Sequence, residues 1–99
     1  MAEILRRILA VTNPERIILF GSRTARTPHP GSDYDLLIVE SEPGDLREKR
    51  RRLRAALAGV EAPVDLVVMD AATFEKRKDY VGGIAHVASS GGRVVYVHA

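Results

Sequence analysis

A chain of 99 residues, 45% hydrophobic and 28% charged, is expected to form one globular domain with a modest core, which excludes a disordered segment. The absence of cysteine excludes a disulfide framework and a thiolate metal site, and no apolar run nears the roughly 20 residues of a membrane span. Glu3, Arg6 and Arg7 interrupt any secretory leader, and a net charge of +2 with a pI near 9.3 does not by itself call for nucleic acid, so a soluble cytoplasmic protein is expected.

Ala2 to Val11 reads as a helix, with Ile4, Leu5, Ile8, Leu9 and Val11 on one stripe and Arg6 and Arg7 outside it. Asn13-Pro14 ends it. Arg16 to Phe20 is the first strand, and its unbroken apolar run predicts burial on both faces. Ser22 to Arg26 is expected to start a short helix, and Thr27 to Gly31, with two prolines and a glycine, is a loop. Asp33 to Val39 is the second strand and Ser41 to Gly44 a turn. Asp45 to Leu57 is a helix, N-capped by Asp45 and stopped near Gly59. Leu46, Leu53, Ala56 and Leu57 form its apolar stripe, and six basic residues between Arg47 and Arg54 cover the rest. Val64 to Met69 is the third strand. Asp70 caps a short helix ending near Lys78, a further helix runs from Tyr80 to Ser90 despite Gly82-Gly83, and Arg93 to Val97 is the last strand. No repeat or linker interrupts this order. It predicts an α/β (α+β) arrangement, a small sheet flanked by helices.

The chemistry concentrates in one stretch. The first strand stops at Gly21-Ser22, and ten residues on comes Asp33-Tyr34-Asp35, opening the second strand. Alternate residues of a strand share a face, so the two carboxylates point the same way with Cα atoms about 7 Å apart. Held like that they repel, and a hard divalent cation with oxygen ligands is the natural counter-charge; the plainer alternative is a pair of capping carboxylates. The turn after Phe20 can offer backbone N–H groups to a phosphate, although Ser22 would serve equally as an ordinary N-cap. Asp65 lies in an otherwise apolar strand, where a carboxylate is costly to bury unless paired or metal-bound; the alternative is an edge-strand aspartate facing water. Tyr34 alternates away from the two aspartates and His86 sits on an apolar helix face, so both read as packing residues. His29 reads as a solvated loop histidine. The arginines of the basic helix read as a solvated face or a contact for an acidic partner rather than for nucleic acid, because no aromatics interleave for base stacking.

Gly-Ser, ten residues, then Asp-x-Asp, each set against a hydrophobic strand, resembles the signature of the DNA polymerase β-like nucleotidyltransferases. Within them the chain is most similar to the minimal nucleotidyltransferases, short proteins often found as antitoxins beside HEPN-domain toxins. The resemblance runs from about Ile4 to Tyr96 and implies the polymerase β palm-like fold, a mixed sheet with the active site along one edge. It implies that Asp33, Asp35 and Asp65 hold two Mg²⁺ ions, and that Gly21, Ser22 and Arg23 meet the triphosphate of ATP, the donor. Family members often read Gly-Ser-Arg-Ala-Arg-Gly. Here the order is Gly21-Ser22-Arg23-Thr24-Ala25-Arg26-Thr27, which puts the second candidate phosphate clamp, Arg26, one residue late.

The resemblance also implies a reaction: attack of an acceptor hydroxyl on the α-phosphate of ATP, with pyrophosphate leaving. The implied acceptor is a tyrosine of the partner HEPN toxin, which the added charge would inactivate. A chain this short is expected to leave base recognition and acceptor binding shallow or to a second chain, a partner or another copy. The competing readings are an antitoxin that acts by contact alone and an RNA-binding module built on the basic helix.

Overall fold

In the computed structural model, residues 1–21, 34–42, 44–60 and 63–98 are described. The elements are α1 (Ala2–Val11), β1 (Arg16–Phe20), β2 (Tyr34–Glu40), α2 (Leu46–Ala56), β3 (Val64–Asp70), α3 (Ala71–Arg77), α4 (Ile84–Gly91) and β4 (Arg93–Val97). The four strands form one mixed sheet in the order β3-β2-β1-β4. β1 runs antiparallel to β2 and β4, while β2 and β3 are parallel. A parallel pair needs a crossover, and α2 supplies it.

Two apolar clusters sandwich the sheet. Ile17 and Leu19 of β1 and Leu36 and Ile38 of β2 pack against Ile4 and Ile8 of α1 and Leu53 of α2. Ile18, Leu37 and Val39 point the other way, to Phe74 of α3 and Ala85 and Ala88 of α4. The central strands thus feed both layers, which is why their sequences read as unbroken aliphatic runs rather than alternating ones. Among the described residues, no helix is long and apolar enough to cross a membrane.

The sequence boundaries hold for the first helix and for the first and last strands. Other details differ, β3 running on to Asp70 and α4 to Gly91. The fourth helix starts at Ile84, not Tyr80, because Gly82 takes φ = +90° in the turn before it, a conformation a continuing helix cannot use. Of the proposed α2 stripe, Leu53 alone is fully buried. Glu40 ends β2 almost fully buried: Thr12 Oγ1 donates to Glu40 Oε1 at 2.6 Å, and Lys49 Nζ donates to Thr12 Oγ1 at 2.9 Å, tying α1, β2 and α2 together.

Asp45 caps α2 as expected, its Oδ1 accepting from the N–H groups of Arg47 (3.0 Å) and Glu48 (3.2 Å). Asp45→Ala removes both bonds and should cost about 1 kcal/mol. A melting point about 4–8 °C lower in thermal circular dichroism is the expected result, with Asp45→Asn close to the parent.

Candidate active site

The site lies at the end of the sheet where β1 stops and β2 and β3 begin. The register pairs Phe20 with Asp35 across β1 and β2, and Asp35 with Asp65 across β2 and β3. Neighbouring strands lie about 4.8 Å apart, so the two aspartates are direct neighbours. Both belong to the face that carries Leu37, Val39, Val67 and Met69, under α3 and α4. Asp35 is half-buried and Asp65 exposed. Like charges side by side on neighbouring strands repel.

Gly21 closes the site from the β1 side. Its φ is +77°, and a Cβ built there would fall 2.2 Å from Oδ2 of Asp35. The carboxylate of Asp35 therefore occupies the volume that any other residue at position 21 would fill. The resemblance implies that this glycine meets a triphosphate; the described neighbour that needs its open space is Asp35.

Asp65 also corrects its sequence argument. β3 is a terminal strand of the described sheet and Asp65 is exposed, so it carries no burial penalty. What separates it from an ordinary edge carboxylate is its register with Asp35. Ser22, Arg23, Arg26, His29 and Asp33 lie outside the described residues, as do the short helix and loop expected between positions 22 and 31.

The remaining candidates fall where expected. Tyr34 is half-buried on the opposite face, against the α1–α2 layer. His86 is half-buried, and its Nδ1 donates to the Lys78 carbonyl at 2.9 Å, bridging the turn between α3 and α4. Asp70 sits at the far end of β3 and caps α3, accepting from the Thr73 N–H at 2.7 Å and the Thr73 hydroxyl at 2.9 Å. These bonds from Thr73, the backbone one first, hold its pKa below the usual 3.8. A depressed folded-state pKa means stability that is present above pH 3.8 and lost as pH falls through the lower folded value. In acid titrations followed by circular dichroism, Asp70→Asn should lack this component, so its stability falls less steeply than the parent's below about pH 4.

The donor set suits a hard divalent cation: two carboxylates aligned in register, one seated in the space left by a missing side chain. Among the described residues, no group of three acidic or histidine side chains converges.

The family model described as "Polymerase beta, Nucleotidyltransferase" matches residues 3–83. No curated protein matches the chain. Among solved structures, a chain from the crystal structure of a mutant of the toxin–antitoxin MntA–HpeT, in which two aspartates two positions apart are glutamates, superposes with a TM-score of 0.68. The two are 18% identical, and the alignment covers 97% of this chain and 72% of that one.

Proposed function

This chain belongs to the polymerase β nucleotidyltransferase family, and from that premise we propose that it transfers AMP from ATP to a hydroxyl of a partner toxin, acting as the antitoxin. The observation that carries the proposal is the in-register pair Asp35–Asp65 on one face of the sheet, beside Gly21. Mg²⁺, held by Asp35 and Asp65 with Asp33 as the third carboxylate, would neutralise charge on the transferring phosphoryl group.

The chain's own residues set up the rest. Asp35 sits on an interior strand, packed against Gly21, and fixes one side of the site. Asp65 stands exposed on the terminal strand, so an acceptor approaches from that edge, near this carboxylate. The acceptor oxygen bonds to the α-phosphorus, the bond to the bridging oxygen of pyrophosphate breaks, and the hydroxyl proton is released. Ser22, Arg23 and Arg26 are proposed to meet the triphosphate. A tyrosine of a HEPN-type toxin is the proposed acceptor. The antitoxin role draws support from the shared fold with a chain of that toxin–antitoxin structure, in which two aspartates with the spacing of Asp33 and Asp35 are mutated.

The test is incubation with α-labelled ATP, Mg²⁺ and the protein encoded beside this chain. Label on that protein, lost in Asp35→Asn, is the expected result. A stable complex without label would assign neutralisation by contact alone, and salt-sensitive RNA binding without either would assign an RNA-binding module.

A further inference from the structure

The flank of α2 carries an arginine stripe. Arg47, Arg51 and Arg54, followed by Ala58, are spaced i, i+4, i+7 and i+11 and so share one side of the helix, about 10 Å long between the first and last arginine. The core side of the same helix is set by Leu53. Arg54 and Ala58 also line a cleft of about 250 Å³, whose apolar walls are Leu57, Val60, Val64 and Leu66. Val64 and Leu66 belong to β3, the terminal strand, so the stripe overlooks an open edge of the described sheet. All three arginines are exposed. Among the described residues, one carboxylate, Glu48, pairs with the stripe, through Arg51 at 2.5 Å. The patch therefore keeps an excess of positive charge beside an apolar hole.

We infer that this groove docks an acidic segment of the acceptor protein, with one apolar side chain of that segment seated in the cleft. The inference rests on the transferase reading above and adds where the acceptor is held. Charge sets the partner's sign. The cleft is smaller than the roughly 300–1,000 Å³ of small-molecule sites, which suits a side chain rather than a nucleotide. None of its described lining residues is aromatic, which offers no platform for base stacking, and a protein fits better than a nucleic acid. Position supplies the functional link. Val64 and Leu66 face α2, while Asp65 between them faces the other side of the sheet. A partner lying along this edge straddles it, anchored on one face with a hydroxyl within reach of Asp65 on the other.

The test uses the full chain and the purified protein encoded beside it. The charge-reversed variant R47E/R51E/R54E should weaken the complex at least 30-fold in titration calorimetry. The apparent KM for the protein acceptor should rise, with kcat at saturation and MgATP binding little changed. The neutral variant R47Q/R51Q/R54Q should fall between parent and reversal, which separates a charge effect from misfolding. A photo-crosslinker at Ala58 should capture an Asp/Glu-rich segment of the partner. Undiminished affinity and transfer in the reversed variant overturn the docking surface and leave the transferase reading intact. A 20-nucleotide RNA that binds the parent and is lost on reversal overturns it in favour of nucleic acid. If the parent transfers no label to that protein, the transferase reading falls, and the docking surface with it.

Discussion

Asp65→Asn should abolish nucleotide transfer and, in the absence of metal, leave the fold as stable as the parent or more so. The two effects have one origin. Asp35 and Asp65 are register partners on parallel strands, and two unit charges about 5 Å apart repel by roughly 1 kcal/mol in water and about 3 kcal/mol at an effective dielectric of 20. Asp65 is exposed, which places the value near the lower figure. An asparagine keeps the shape and removes the repulsion. It also removes half of the described donor pair. Metal ions of this kind supply several kcal/mol of transition-state stabilisation, so a loss on the order of 10³-fold in label transfer is expected. Asp35→Asn should lose activity to the same degree.

A second readout needs no turnover. A ligand that binds the folded state alone raises its melting temperature, so Mg²⁺ should stabilise the parent and neither variant. An aspartate kept for the strand itself would show the reverse pattern: a destabilised variant, with Mg²⁺ acting equally on all three proteins. That result, or full activity in Asp65→Asn, would sink the assignment.

The local parts of this site were legible in the sequence, and the non-local parts were not. Periodicity placed α1 at Ala2–Val11 and β1 at Arg16–Phe20 because each buries a face defined by its own spacing. Capping chemistry placed Asp45 and Asp70 for the same reason: the groups they satisfy lie two or three residues away. Pairing register belongs to a different class. That Asp65 meets Asp35, and not Leu36 or Leu37, depends on how the α2 crossover returns the chain to the sheet. No window of sequence contains it. The family resemblance supplied the expectation that Asp65 joins the site, whereas the burial argument for it failed on an exposed edge strand. Glu40 escaped notice because an apolar run ending in glutamate looks like a strand leaving the core. Its partner, Thr12, lies 28 positions away, and Lys49 joins only through Thr12.

The space left at Gly21 is taken by the carboxylate of Asp35, and substitution there gives the second large effect. Gly21→Ala has two separable costs. A side chain at φ = +77° is strained by roughly 1–2 kcal/mol. The new methyl would also stand 2.2 Å from Oδ2 of Asp35, closer than atoms approach, so the carboxylate must shift. The backbone cost appears in the melting temperature. Displacement of Asp35 appears in catalysis, where a misplacement of 1 Å can cost on the order of 100-fold. Transfer by Gly21→Ala should therefore fall far below the parent at temperatures where the variant is fully folded. A double-mutant cycle isolates the contact. In an Asp35→Ala background the crowding oxygen is gone, so adding Gly21→Ala should cost the backbone strain alone, less than in the parent, with a measurable interaction energy between the two positions. Additive costs would mean that Asp35 does not depend on the missing side chain, and normal transfer by the single variant would remove Gly21 from the site.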